Sequence, residues 1–416
     1  MTSQTQAATS ADIDLARRLA PIVRLSDNEP FLPSRVGVTV FDKAGTSPSA
    51  PLEVTFEPGV ARVIEYAVWW DWDIQHLYEL EHIWLKLDAT DNVVAVEASS
   101  HGGKFAMALP DGSLPIEAGR VTLFSAPGKH AFSASAQAQL DVAEQTILSC
   151  QELAGQRAIL VNDMFRGALE GLTAEDHRAV KRYLQGRAFL PSFDFNQRLD
   201  LSGLTITSWP ELAEWIPARV RSVLAEVRAQ QPLLKAVFLD SGDTLVNEAT
   251  EVFDADGYVI EAGLIPGALE MIRALTREGY RLALVADGRV RSFANILGGH
   301  GIQPHFHAQV ISESEGCEKP DARMFQKAMA ALGLATSDVD AIVMVGNHLE
   351  RDIGGANRLG IVSIWQSWSR KRTHIPANSE EVPRYSIRAP GELPALLADI
   401  ERQMARAQLV PGVPNL

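Results

Sequence analysis

The sequence predicts an α/β protein in two halves: a β-rich N-terminal half, then a doubly wound parallel sheet of Rossmann-like type. Three observations carry the prediction. Up to about Ala134, short apolar or alternating runs are separated by turn residues, the period-two pattern of strands. After Pro232, continuous apolar runs alternate with helical stretches, which implies parallel strands with helices on both faces. At 416 residues the chain is long for a single core, since domains usually run to about 100–200 residues.

Taken in order, strands are expected at Val36 to Phe41, Ala61 to Trp70, Ile83 to Leu87 and Val93 to Ala98. Between Gln137 and Leu184 the apolar spacing lengthens towards helix. Leu212 to Arg228 can form an amphipathic helix whose start carries Glu211 and Glu214, acids that suit a helix N-terminus. Beyond it come a strand (Ala236 to Leu239), a helix (Ala268 to Glu278), a strand (Leu282 to Val285), two helices (Ser292 to Leu297, Ala322 to Leu332) and a strand (Ala341 to Val345). The expected boundaries are 1–205 for the β-rich domain with helical additions, 206–232 for a connecting helix, 233–405 for the α/β domain and 406–416 for a tail.

The composition, 46% hydrophobic and 22% charged, is that of an ordinary globular protein. A net charge of -14 argues against a nucleic-acid partner, because phosphate backbones are held by clustered Lys and Arg. The basic triplet Arg370, Lys371 and Arg372 is too short to reverse that. The two cysteines, Cys150 and Cys317, lie far apart, as free thiols of a reducing compartment do. The first dozen residues are polar and no apolar run is long enough for a membrane span, so a cytoplasmic protein without a membrane partner is expected. Nothing in the chain speaks to its oligomeric state.

In parallel α/β sheets chemistry sits beyond the carboxyl ends of the strands, and polar motifs lie where the predicted strands end. Asp240-Ser241-Gly242-Asp243-Thr244, Ala286-Asp287-Gly288 and the stretch from Gly346 and Asn347 to Asp352 follow those strands, and Lys319-Pro320-Asp321 stands before the helix predicted from Ala322. A carboxylate whose charge is offset by a cation can attack an electrophile and leave an acyl intermediate that water opens. Any one Asp after a strand is more often a turn residue; three such motifs at the ends of three predicted strands are not explained that way.

In order and spacing, these motifs resemble the haloacid dehalogenase superfamily. The resemblance implies a capless hydrolase domain that cleaves phosphomonoesters through an aspartyl-phosphate. It makes Asp240 the nucleophile and Lys319 the charge neutraliser, with Thr244, Gly288 and Lys319 binding phosphate. Mg2+ would be held by Asp240, the Gly242 carbonyl, Asn347 and Asp352. Three positions depart from the pattern. Gly242 stands where the family places a second Asp as general acid and base, Ala286 lacks the phosphate-binding hydroxyl, and Asn347 replaces an acid. Asp243 or Asp287 is expected to supply the missing base.

Two further readings stay open: a binding or scaffold protein that recognises a phosphorylated ligand without turnover, and a metal-independent dehalogenase. The latter needs a roofing cap, and the roughly 45 residues between Asp240 and Ala286 leave no room for one. A capless cleft implies either a large phosphorylated substrate that covers it or a roof supplied by the N-terminal half. The acids at Asp254 and Asp256, next to Gly257, read as a turn between short strands rather than a calcium loop.

In the N-terminal half, His76, Glu79 and Glu81 enter a strand just after Asp71 and Asp73. Such a set can converge on one hard cation, Mg2+, Ca2+ or Mn2+, or form a self-contained polar cluster. The stretch is similar to the necrosis-inducing-protein family and its vacuolar-sorting-like relatives. Ala20 to Leu25, Phe31 to Ser34, Ser99 to Gly103 and Gly128 to Ala131 follow in the same order. That resemblance implies a β-sandwich with a His-x-x-Asp-x-Glu metal motif, here with Glu79 in place of Asp. His101 and His130 beside glycine turns are expected to have no catalytic role. Trp69, Trp70, Trp72 and Trp84 are expected in the packing.

Overall fold

The structure, a computed structural model, describes residues 8–100 and 102–409. It divides into two compact units, Met1–Leu172 with Ala179–Ala229, and Thr173–Arg178 with Gln230–Leu416. Among the described residues no helix is long and apolar enough to cross a membrane.

The first unit holds two larger sheets. In one, Ile22–Leu25 lies between Arg120–Ser125, parallel to it, and Gln197–Asp200, antiparallel to it. The other runs in the order Thr205–Ser208, Pro33–Phe41, Arg62–Trp72, His76–Leu87, Val93–Ser100, Gly103–Ala106. Its two long central strands pair antiparallel from Arg62↔Leu87 to Trp72↔Leu77. Trp69, Trp70 and Trp84 have no exposed surface, as expected of packing residues, while Trp72 stacks on Tyr183.

The helix expected as a connector runs from Trp209 to Gln230 and falls in the first unit up to Ala229. Its buried positions Leu212, Ile216, Val220, Val223 and Val227 repeat at the three-to-four spacing of one helical face. That face is tied to a strand. A Cβ on Gly37 would lie 2.8 Å from the Leu212 side chain, so the strand accepts the helix at a residue without one. Arg157 to Ile159 interrupts the stretch read as helical, and Ala158–Ile159 pairs parallel with His76 and Leu77.

In the second unit β1 (Ala236–Leu239), β2 (Leu282–Ala286), β3 (Phe306–Ile311), β4 (Ile342–Gly346), β5 (Val362–Gln366) and β6 (Tyr385–Ile387) form one sheet. The order is β3-β2-β1-β4-β5-β6, with every pairing parallel. Strand alternation splits the core in two. Val237, Leu239, Leu282, Leu284, Val343 and Val345 face a layer that includes Met271, Ile272 and Leu275 of the helix Ala268–Arg277. Ala236, Phe238, Ala283, Val285, Ile342 and Met344 face Met324, Phe325, Ala328 and Met329 of the helix Ala322–Ala331.

Between the first and second strands the chain makes a 3-10 turn, Glu248–Thr250, and the hairpin of Val252–Phe253 with Val259–Glu261. Asp254 accepts from the Asp256 and Tyr258 amides within that hairpin, a turn rather than an open ligand loop. No cap domain is inserted here.

Candidate active site

Parallel order brings the ends of β1, β2 and β4 to one edge, so Asp240, Asp287 and Asn347 emerge there together. The loop after β1 is wound tightly: the amides of Thr244, Leu245 and Val246 all donate to the Ser241 carbonyl, at 3.1, 2.8 and 2.9 Å. Asp243 takes φ +49 in that loop. Thr244 Oγ1 donates to Asp240 Oδ2 at 3.2 Å, and Gln366 fixes the Thr244 carbonyl at 2.8 Å.

Lys319 is the centre of the arrangement. Its Nζ lies 2.6 Å from Asp240 Oδ1 and 2.6 Å from Asp352 Oδ1, with 3% of its surface exposed. Burial works against the ammonium, but Asp240 and then Asp352 outweigh it and hold the lysine above its ordinary pKa. Burial pushes the Asp352 carboxyl up to about 7, against the pull of Lys319. Asp352 stands on a π-helical turn, Leu349–Gly354, and its Oδ2 accepts from the His348 amide at 2.9 Å.

These residues line a cavity of about 140 Å3 together with Gly242, Glu248, Glu251, Asp287, Arg351 and Arg372. The proposed site residues do not all meet there. Asp243, expected to supply a base, has no exposed surface; it accepts from Ser369 Oγ at 2.7 Å and from the Glu248 amide at 3.1 Å. Its left-handed backbone turns it under the loop rather than into the cavity. Asp287 does line the cavity, but Oδ1 accepts from the Lys319 amide and Oδ2 from Arg351. The Gly288 amide, expected to bind phosphate, donates to Ser312 Oγ at 2.9 Å. Sequence reasoning missed Glu248, Glu251, Arg351 and Arg372, which come from turns with no periodic signal.

In the first unit, ligand atoms of Asp73, His76 and Glu79 lie within 4.8 Å of one another. His76 Nε2 is 3.8 Å from Asp73 and 3.6 Å from Glu79, while Nδ1 donates to the Tyr78 carbonyl at 2.9 Å. Lys129 Nζ is 2.6 Å from Asp73, so that carboxylate already has a counter-ion.

Two of the five expected ligands are engaged elsewhere. Glu81 accepts from Ser99 Oγ and is pushed up to about 8 by burial and then by Glu79. Asp71 pairs with Arg219 at 2.7 Å. His130 is fully buried and stacks on Trp70 at 4.7 Å; His101 lies outside the described residues.

Residues 199–360 match the haloacid dehalogenase-like hydrolase family. The glyceraldehyde 3-phosphate phosphatase of Methanopyrus kandleri is 33% identical over 141 residues, 34% of this chain and 58% of that protein. The phosphoserine phosphatase of Thermus thermophilus is 33% identical over 102 residues, 24% of this chain and 40% of that one. The crystal structure of a HAD phosphatase from Thermococcus onnurineus aligns with a TM-score of 0.33 and 19% identity, over 39% of this chain and 97% of that one. The chain spans about half the length of the curated relatives it matches. Its C-terminal half carries a haloacid dehalogenase-like hydrolase domain.

Proposed function

We propose that the second unit hydrolyses phosphate monoesters with Asp240 as the nucleophile. The observation that carries this reading is the ammonium of Lys319 held 2.6 Å from both Asp240 and Asp352 at the mouth of a parallel sheet. An Asp240 oxygen bonds to phosphorus as the ester oxygen departs, leaving an acyl phosphate that water cleaves. Lys319 stays charged through both steps and offsets the negative charge gathered on Asp240 and the phosphoryl oxygens.

The donor set fits Mg2+. Asp240, Asp352 and Asn347 present hard oxygen ligands beside the Gly242 carbonyl. Among the described residues the buried amide nitrogen of Asn347 has no hydrogen-bond partner, and an amide turned over there would present its oxygen instead. Two carboxylates against one ammonium also leave a negative site when all are ionised. Mg2+ bound there would lower the electrostatic cost of bringing an anionic ester to Asp240.

The names of the relatives support a phosphorylated metabolite as substrate, and the absence of an inserted cap supports one that is large or closes the cleft itself. Two free cysteines support a reducing, cytoplasmic setting. For the first unit we read a β-sandwich in which Asp73, His76 and Glu79 are the side chains able to share a cation, in competition with Lys129 for Asp73.

Ligand recognition without turnover is the second reading, favoured by Gly242, which offers no side chain to protonate the leaving oxygen. Phosphate release from a panel of monoesters, with and without Mg2+, separates the two. The wild type is expected to turn over with Mg2+, and Asp240→Asn to lose at least ~10³-fold. Equal inactivity of both proteins would leave the binding reading.

A further inference from the structure

Breaking a phosphate monoester expels an alkoxide unless a proton reaches the bridging oxygen, so the cavity needs an acid besides Asp240. Asp352 is committed to Lys319 and the His348 amide. Asp287 is committed to the Lys319 amide and Arg351, and Asp243 is sealed beneath the loop.

Of the two carboxyls left in the lining, Glu248 and Glu251, Glu248 is the one that reaches the loop at Gly242. A Cβ built on Gly242 would lie 2.2 Å from Glu248 Oε1 and 3.0 Å from its carboxyl carbon. The carboxyl group therefore fills the space that a side chain at 242 would take, two residues along the loop from Asp240. Its other oxygen faces Lys371 Nζ at 3.6 Å and Arg372 Nη2 at 3.8 Å, beyond ordinary hydrogen-bond distance.

The side chain is 29% exposed and lines the same cavity as Asp240, Lys319 and Asp352. Its position is anchored to the nucleophile loop, because the Glu248 amide donates to Asp243 Oδ1 at 3.1 Å and Asn247 caps the turn through the Ala249 amide at 3.0 Å. This gives Asp243 a positioning role: it holds the turn that presents Glu248.

We propose that Glu248 is the catalytic acid and base of the site, supplied from the following turn in place of a side chain at 242. The inference rests on the phosphatase reading. In the first step the Glu248 proton passes to the ester oxygen as its bond to phosphorus breaks and an Asp240 oxygen bonds to phosphorus, releasing the alcohol. In the second, the Glu248 carboxylate takes a proton from water, whose oxygen bonds to phosphorus as the Asp240 oxygen leaves. Inorganic phosphate departs, Asp240 is again a carboxylate and Glu248 again carries its proton.

The test compares the full-length wild type, Glu248→Ala and the double variant Gly242→Asp/Glu248→Ala in the presence of Mg2+. Each is assayed by rapid quench on an alkyl phosphate and on 4-nitrophenyl phosphate. Glu248→Ala is expected to lose about 10²- to 10⁴-fold on the alkyl ester. On 4-nitrophenyl phosphate, whose leaving group needs no proton, it should release a burst of about one nitrophenolate per site and then stall at the acyl phosphate. The double variant, whose new carboxyl enters the vacated space, should recover at least ~10-fold of the lost turnover.

A merely structural role would lower burst and steady rate together. The proposal is overturned if Glu248→Ala turns over the alkyl ester within roughly threefold of the wild type, or shows no burst. A wild type inactive on every ester would remove the phosphatase reading and this inference with it; an active wild type beside an unaffected Glu248→Ala removes the inference alone.

Discussion

Glu65 lies in the strand Arg62–Trp72 with no exposed surface, accepting from Ser49 Oγ at 2.5 Å and Trp84 Nε1 at 2.7 Å. Burial raises its pKa above the ordinary value, and these donors offset only part of the rise. A carboxyl raised in the folded state contributes stability that is fully present below its unfolded pKa, about 4.3, and is lost as pH climbs through the folded value. Glu65→Gln keeps the shape, can accept from Trp84 Nε1 through its oxygen and donate to Ser49 Oγ through its amide nitrogen, and has no proton to lose. Its stability relative to the wild type is therefore expected to grow with pH above about 4.3, by at most about 1.4 kcal/mol per pH unit. Urea unfolding followed by tryptophan fluorescence across that range checks it; a difference that does not change with pH would contradict the account.

The same competition between burial and partners explains which site residues were legible in the sequence. Asp240 and Asp352 come after strands whose uninterrupted apolar runs could be read, Lys319 stands just before a legible helix, and the three side chains meet. Glu248 could not be found that way. It belongs to a 3-10 turn, and what places it is the empty position at Gly242, a property of two segments together. Asp243 misled for a related reason: its identity promised a base, but φ +49 directs the side chain to Ser369. In the N-terminal cluster, spacing brought Asp73, His76 and Glu79 together, while Ser99 and Arg219 claimed Glu81 and Asp71.

At the scale of elements, the segment Thr173–Arg178 belongs to the second unit although it lies more than fifty residues before the rest of it. The start of the helix Ala174–Gln185 docks there through Arg178. Its guanidinium donates to the Glu278 and Leu234 carbonyls at 3.0 and 3.1 Å, covers the Tyr280 ring at 4.1 Å and pairs with the fully buried Glu401 at 3.2 Å. Close contact is possible because Gly279, at φ +72, has no Cβ; one there would lie 2.6 Å from the Ala174 Cβ.

Removing one member of a buried ion pair costs about 3–5 kcal/mol, so Arg178→Ala is expected to destabilise the protein by that order. A loss below about 1 kcal/mol in equilibrium unfolding would show that the helix start contributes little. The sequence offered no hint of this docking, because long-range pairing of charges leaves no local pattern. Of the strands, β1, β2 and β4 are buried along their whole length and were legible, whereas β5, buried at all but one position, was not read. The edge strand β3 alternates in exposure and β6 has three residues, so neither stood out from its flanking turns.

At the scale of the whole chain, a net charge of -14 opposes the approach of an anionic ester, an effect that acts over about 10 Å at ordinary ionic strength. The cavity lining sets Lys319, Arg351 and Arg372 against Asp240, Glu248, Glu251, Asp287 and Asp352, so its own charges do not reverse the repulsion and the proposed Mg2+ would have to. All the residues assigned to the reaction, from Asp240 to Asp352, lie in the second unit, which makes one chemical step the central claim. That step is a covalent bond between Asp240 and phosphorus. The most direct measurement is to acid-quench the full-length protein during turnover of a phosphate monoester, reduce it with borohydride and locate the modified residue by peptide mass. Reduction of an aspartyl phosphate yields homoserine, and the account predicts it at position 240 and its absence when substrate is omitted. Turnover with Asp240 unmodified, or with the change at another acid, would contradict it.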